Sequence, residues 1–236
     1  MNLSENMAIS VIIPAYNEGD RVYNLISFIN QFAAGIVCET IVVDAASTDN
    51  TCEQATLAGA KVIQFLAKSR ASQMNAGASV AKGNVLYFVH ADVRLVPTFA
   101  LDIKEAVTQN YQAGCYRYLF DSDKWLLKIN AYCTRFKSLM CRGGDQTLFV
   151  TKQVFETLSG YNEYYAVMED YDFIRRLRRK YTFRIIPKNV VVSARKYDRN
   201  SWLRVQLVNL FAFILFNLDR NPLDIKKTYS KLLNYP

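Results

Sequence analysis

His90 and Asp92 stand two positions apart at the end of the apolar run "VLYFVH", and His90 is the single histidine of the 236-residue chain. A strand turns every second side chain to the same face. The run therefore predicts an imidazole and a carboxylate side by side at a strand's carboxyl end, two ligand types that suit a divalent metal. The competing reading is a half-buried histidine beside an aspartate that begins a turn. Further along, Arg70, Gln73 and Asn75 open a helical pattern, where amide groups and a guanidinium together suit a diphosphate. A solvated first turn is the alternative there, and it is the expectation for Lys68. "GGDQTLFV" offers Gly143 and Gly144 for close backbone approach, with Asp145 and Gln146 available to hydroxyls, or else an ordinary turn before a strand. Glu169 and Asp170 begin "EDYDFIRRL", a helix with Phe173, Ile174 and Leu177 on an inner face and its arginines mostly outward. Two acids at that end are what the helix dipole favours in any case.

The elements that must position these residues alternate through the first hundred positions. "ISVIIP", "ETIVVDA", "KVIQFL" and "NVLYFVHAD" read as strands, and helical patterns lie between them. This order predicts an α/β fold with a mostly parallel central sheet and helices on both faces. Ligands of such sheets collect beyond the carboxyl ends of the strands. That edge gathers Pro14-Ala15-Tyr16-Asn17-Glu18, Asp44 and His90-Ala91-Asp92, while Asp49 reads as a helix cap. Beyond residue 100 the pattern loosens into helices mixed with shorter strands such as "GDQTLFV" and "FRIIP". No linker, repeat or low-complexity segment interrupts the chain, so 1–236 is expected to form one domain with two functional halves, 1–100 and 101–236.

Charge is unevenly placed. Residues 171–236 carry fifteen Lys/Arg against four Asp/Glu, and 1–170 carry fourteen against seventeen, together the net +8. The basic half implies an anionic neighbour: a phosphate-bearing substrate, a membrane surface or nucleic acid. No nucleic-acid motif accompanies it, so nucleic acid is not expected. Five scattered cysteines without a C-x-x-C pair argue for free thiols in a reducing compartment. The start "MNLSENMAIS" lacks the pattern of a signal peptide, which makes the expected location cytoplasmic. The uncharged stretch "VQLVNLFAFILFNL" is fourteen residues long, short of the ~20 that span a bilayer. Gln206, Asn209, Asn217 and Arg220 fall on one side of it. Core or homodimer packing is the first expectation for its apolar face, with peripheral attachment at the inner membrane surface as the alternative.

"SVIIPAYNEGDRV", "IVVDAASTDNT", "SRASQMNAGASVAKGNVLYFVHADVRL" and "MEDYDFIRRL" occur in this order. Together, over about residues 8–195, they resemble family 2 glycosyltransferases, which have the GT-A fold and C-terminal helices. "GDQTLFV", "MEDYDFIRRLRR" and "SARKYDRNSW" are similar to the arsenosugar-biosynthesis-type subgroup. The resemblance implies transfer of a sugar from a nucleoside diphosphate sugar to an acceptor hydroxyl, with inversion. It implies that Pro14, Tyr16, Asn17, Glu18 and Asp44 contact the nucleoside, with Ala45 where a second acid is usual. It places Arg70, Gln73, Asn75 and Arg195 near the nucleotide and its diphosphate. His90 and Asp92 fall on the family's D-x-D motif, so Asp92, with His90, is expected to hold Mn²⁺ or Mg²⁺. Asp170 would be the catalytic base and Glu169 its supporting neighbour. Asp145, Gln146 and Tyr197 would face a small-molecule or lipid-linked acceptor.

Two other classes compete. A metal-dependent nucleotidyltransferase acting on sugar phosphates would show a glycine-rich basic loop after the first strand, where "PAYNEGDRV" has one glycine. A non-catalytic membrane-surface binding protein would not need Asp92 and Asp170 together. Hydride transfer is not expected, because no G-x-G-x-x-G follows the first strand.

Overall fold

The computed structural model of the protein describes residues 6–66 and 69–233, so Lys68 lies outside the described residues. Strands β1 (Ile9–Ala15), β2 (Val37–Asp44), β3 (Lys61–Gln64) and β4 (Val85–Phe88) alternate with helices α1 (Gly19–Phe32), α2 (Thr51–Leu57) and α3 (Arg70–Val80). Then follow α4 (Phe99–Thr108), β5 (Ala113–Phe120), α5 (Trp125–Cys133), β6 (Leu148–Thr151), α6 (Lys152–Thr157), α7 (Glu169–Arg178) and β7 (Phe183–Val192). Helices α8 (Trp202–Asn217) and α9 (Pro222–Leu232) end the described chain.

The seven strands form one sheet in the order β3-β2-β1-β4-β6-β5-β7. The pairs β1–β2, β2–β3, β1–β4 and β5–β7 are parallel, and β6 runs antiparallel to both its neighbours. The sheet therefore draws strands from both halves of the sequence. Alternation along each strand divides the core. Ile9, Val11, Ile13 and Tyr87 pack with Val22, Ile26 and Ile29 of α1 and Phe99 and Ile103 of α4. Ile12, Leu86, Phe88, Leu148 and Val150 pack on the other side with Met74 of α3, Phe155 of α6, and Phe173, Ile174 and Leu177 of α7. Helices cover both faces, as the alternation requires. The chain builds outward from β1 to β3, then returns to pair β4 on the other side of β1. This reversal opens a crevice at the carboxyl ends of β1 and β4.

Three expectations need correction. β4 stops at Phe88, two residues before His90, so strand alternation does not place His90 beside Asp92. Both stand in a turn closed by Val93 N donating to His90 O at 3.1 Å. The strand β5 was not foreseen, because "AGCYRYLF" buries its first four residues in succession and does not alternate. The third concerns α8. Val205, Val208, Ala212 and Phe216 pack inward, but so do the polar Gln206 and Asn209. Gln206 Nε2 donates to the Tyr197 hydroxyl at 3.2 Å, and Asn209 Oδ1 accepts from the Tyr229 hydroxyl at 3.0 Å. The outer face carries Leu203, Leu207, Leu210, Phe211, Ile214 and Leu218, all exposed. No described helix is long and apolar enough to cross a membrane. All five cysteines are free thiols.

Candidate active site

β1 runs on to Ala15 along β2, past the end of its ladder with β4 at Ile12–Phe88. Pro14, two residues further, therefore costs no hydrogen bond on that side. Tyr16 projects outward, 45 % exposed. Asn17 takes a left-handed conformation with φ 54°, its N–H donates to Ser47 Oγ at 2.8 Å, and its Oδ1 accepts from Thr48 N at 2.8 Å. Glu18 N donates to Thr51 Oγ1 at 2.9 Å, and Gly19 N to Asp49 Oδ2 at 3.3 Å. Asp49 also accepts from Thr51 N at 3.0 Å, so it satisfies the first amide of α2 from the position before the N-cap, Asn50. Asp44, fully buried at the end of β2, accepts from Ser47 N at 2.9 Å and from the Ser47 hydroxyl. Asn17 and Asp44 thus serve to fasten the β1–α1 loop to the β2–α2 loop.

That fastening aims Glu18 at a residue from the far end of the chain. Arg195 Nη2 lies 2.8 Å from Glu18 Oε1 and 3.1 Å from Asp92 Oδ2, while Arg21 Nη1 holds the other Glu18 oxygen at 2.6 Å. His90 Nδ1 is 3.9 Å from Asp145 Oδ1. Asp145 belongs to the 3₁₀ turn Gly144–Gln146 that leads into β6, and β6 pairs directly with β4. Burial pushes the His90 pKa down to about 4, Arg70 and Arg195 push the same way, and Asp145 and Glu18 oppose. His90 is therefore neutral at pH 7, with a ring nitrogen able to ligate. Burial raises the Asp92 pKa, Arg195 and Arg70 oppose, and Asp145 and Glu18 add to the rise. Glu18, Arg70, Asp145 and Arg195 thus all act on His90 and Asp92 at one end of the sheet.

The two acids of α7 approach from the other side. β7 runs toward the carboxyl edge in parallel with β5, and α7 precedes it, so α7 points its N-terminus at that edge. Met168, in the left-handed region at φ 70°, turns the chain into the helix. Glu169 and Asp170 are buried. Asp170 and Asp145 both raise the pKa of the Tyr171 phenol, though burial is the larger cause. Asp145 similarly faces Tyr118 and Tyr197. The charge of Asp145 thus acts both on the His90 and Asp92 of one turn and on Tyr171, the neighbour of Asp170 on α7. The arginines of α7 do not point outward as expected. Arg176 donates to Asp172 at 2.7 Å and to the Leu158 and Gly160 carbonyls, and Arg175 lies over the Phe216 ring at 4.4 Å.

Several expected residues lie apart from this cluster. Gln73 is buried and donates to Ala15 O at 3.1 Å and Val43 O at 2.7 Å, bridging β1 and β2. Asn75 donates to Tyr161 O and accepts from Tyr161 N, each at 2.9 Å, and so fixes the loop ahead of α7. Gln146 is buried, and neither of its amide atoms has a hydrogen-bond partner among the described residues. The side chain of its neighbour Asp145 is 62 % exposed. Tyr197 packs edge-on against Phe120, and its hydroxyl accepts from Asn130 at 3.1 Å as well as from Gln206. Lys196 bonds to Tyr229 and Asn209. Sequence reasoning missed Tyr118, Tyr171, whose adjacency to Asp170 was its only signal, and the fastening role of Ser47 and Thr51.

Among the described residues no group of three or more His, Cys, Asp or Glu side chains is arranged to hold a metal. Magnesium-type ions are commonly held by one or two carboxylates plus substrate phosphates. Asp92 and neutral His90 fit an ion of that kind.

The model of the family described as "Glycosyl transferase family 2" matches residues 10–181. The 4,4'-diaponeurosporenoate glycosyltransferase of Staphylococcus haemolyticus is 38 % identical over 134 residues, covering 53 % of this chain and 34 % of the relative. The chain thus spans about a third of that relative's length. A mannosyltransferase from Pyrobaculum calidifontis, solved with GDP-Man and Mn²⁺, superposes with TM-score 0.67 at 16 % identity, covering 88 % of this chain and 61 % of that one. Glucosyl-3-phosphoglycerate synthase from Mycobacterium tuberculosis, solved with Mn²⁺, UDP-glucose and phosphoglyceric acid, gives 0.65 at 17 % identity, covering 93 % and 83 %. The shared sheet and the family match over most of its length make this chain a member of glycosyl transferase family 2, with a GT-A-like fold.

Proposed function

We propose that the protein is an inverting glycosyltransferase that moves a sugar from a nucleoside diphosphate sugar to an acceptor hydroxyl. The observation that carries this reading is the gathering of Glu18, Arg70, His90, Asp92, Asp145 and Arg195 at one sheet edge, with Asp170 beyond Tyr171. Asp170 takes the acceptor proton as the hydroxyl oxygen bonds to the anomeric carbon. The bond from that carbon to the diphosphate breaks on the opposite face, and its electron pair leaves with the diphosphate. Arg70 and Arg195 hold the diphosphate, and their charge counts most as it departs. Asp92, with His90, would hold Mn²⁺ or Mg²⁺, which when bound would supply Lewis-acid charge to the leaving group. Glu169 supports Asp170, Tyr16 lies against the nucleobase, and Asp145 faces the acceptor. The fold neighbours solved with Mn²⁺ and nucleotide sugars support the metal and the donor class.

Thermal shift with a panel of nucleotides, with and without Mn²⁺, tests the reading. Metal-dependent stabilisation by a nucleoside diphosphate supports it. A response to triphosphates alone, with pyrophosphate release, points to a nucleotidyltransferase, and no nucleotide response points to a binding protein.

The subgroup resemblance favours a small arsenical acceptor, and a donor library assayed for diphosphate release in its presence tests that. A specific observation favours an acceptor presented at a membrane. The outer face of α8 is a row of exposed leucine, isoleucine and phenylalanine at helical spacing, with exposed Arg204, Arg220, Lys226, Lys227 and Lys231 around it. An apolar row rimmed by cations fits the surface of an anionic bilayer. Phe213, half-buried beside that row, lies 5.7 Å from the ring of Tyr171, the neighbour of Asp170, so α8 itself reaches the base helix. Co-sedimentation with phosphatidylserine vesicles, and none with phosphatidylcholine, is the expected result. A stable dimer by light scattering without vesicle binding would instead assign the face to a second copy. The free thiols support a cytoplasmic location.

A further inference from the structure

A cavity of about 210 Å³ lies between the start of β7, the C-terminal end of α7 and the segment joining α5 to β6, lined by Lys137, Arg142, Arg178, Tyr181, Phe183 and Ile185. Arg178 is eight residues after Asp170 on α7, which puts the two ~12 Å apart along the axis at 1.5 Å per residue. The cavity is therefore separate from the transfer site.

Its lining holds three cations and no acid. None of the ion pairs among the described residues includes any of the three. Arg142 is 2 % exposed. Its Nη atoms are fixed by the Thr134 and Phe136 carbonyls and by Cys115 Sγ at 3.1 Å. Its Nε has no hydrogen-bond partner among the described residues. Burial lowers the Arg178 pKa, and the charge of Arg142 adds to the fall, while no carboxylate offsets it. Two guanidinium groups lining one cavity repel one another, and a counter-charge between them relieves that repulsion. A fixed guanidinium with its Nε–H still unpartnered, beside a second, looser guanidinium, can grip a tetrahedral oxyanion. The space far exceeds the ~10–15 Å³ that one water needs. Tyr181 and Phe183 give it an apolar wall that strengthens charge interactions inside it.

We propose that this cavity is a binding site for a phosphate-type oxyanion, gripped by Arg178 and Arg142 with Lys137 at its mouth. The ligand is either free phosphate or the phosphoryl group of a larger molecule. The site goes beyond the transfer reaction, and its test needs no turnover.

The probe is inorganic phosphate, titrated at constant ionic strength against chloride and read by thermal shift and calorimetry. Glycerol phosphate in a second arm distinguishes a phosphoryl group from the free ion. Arg142 supports two carbonyls and its loss would loosen the loop, so Arg178→Gln and Lys137→Gln are the variants. The wild type is expected to show saturable stabilisation, weakened roughly tenfold or more in Arg178→Gln, since a charged hydrogen bond is lost. Without phosphate, Arg178→Gln is expected to melt at or above the wild-type temperature, because a repelling charge is gone. Stabilisation by nucleoside diphosphate with Mn²⁺ separates the two sites, since Arg178→Gln leaves it unchanged. A phosphate response that is equal in Arg178→Gln and wild type, or that never saturates, overturns the proposal.

Discussion

Asn75→Ala separates a positioning role from a donor contact. The sequence pattern puts Asn75 near the diphosphate, whereas the structure has it hydrogen-bonded to both backbone groups of Tyr161 and to Glu163 Oε1, each at 2.9 Å. Tyr161 is itself buried, with its ring 4.8 Å from Phe173 of α7. The variant loses two part-buried bonds worth ~1 kcal/mol each, while the exposed one to Glu163 adds little, for a total of about 2 kcal/mol. In a chain of this size that is a fall in Tm of about 4–8 °C. Gly160→Ala attacks the same contact from the other side. Its Cβ would lie 2.6 Å from Asn75 Oδ1, on a residue with φ +63°. Calorimetry and donor titration, run on both variants, give the answer. The expected outcome is reduced stability in both, slower transfer because the loop before Asp170 is loosened, and donor affinity within about threefold of wild type, or ~0.6 kcal/mol. Unchanged Tm with a tenfold or greater loss of donor affinity in Asn75→Ala would refute the reasoning.

Further outcomes follow from other parts of the site. His90 has a folded pKa of about 4 against an ordinary 6.5. Between those values the unfolded chain takes up a proton that the folded chain refuses. The contribution to stability is therefore complete above pH 6.5 and lost as pH falls toward 4, about 3 kcal/mol over that interval. The raised pKa of Asp92 acts with the opposite sign above its ordinary 3.8, so the upper end of the window is the place to read the His90 effect. Denaturant titration of metal-free protein should show this slope, and His90→Asn should flatten it. Glu18→Gln removes a partner of Arg195 and of Arg21. It should cost only about 1 kcal/mol, because Arg195 is a third exposed, while weakening donor binding as Arg195 shifts toward Asp92. Leu207→Glu with Phe211→Glu, both exposed, should leave Tm unchanged and abolish binding to phosphatidylserine vesicles.

The first half of the fold was legible because alternating apolar runs and helical spacing are local signals. β1 to β4 and the helices between them follow directly from "ISVIIP", "IVVDA", "KVIQFL" and "VLYF". The edge that gathers the cluster follows from topology, whereas Asp49, read as a cap, stands one residue before the N-cap Asn50. What escaped depends on distance along the chain. Arg195 meets Glu18 across 177 positions, and Asn75 meets Tyr161 across 86. No spacing rule sees either contact. Gln73 and Asn75 share with Arg70 a helix start that suits anions, and only the packed structure shows that two of the three turn to backbone groups. The helix α8 misled for a related reason. Its polar residues looked like a solvent face until Tyr197 and Tyr229 were found waiting for them underneath.

The most direct test is donor titration with Mn²⁺ alongside single-turnover transfer, in Asp170→Asn and Asp92→Ala. If both carboxyl groups serve one bound donor, Asp170→Asn binds it like the wild type and transfers nothing. Asp92→Ala then loses the Mn²⁺-dependent part of binding. Normal turnover in the first variant, or wild-type metal-dependent binding in the second, would contradict the account.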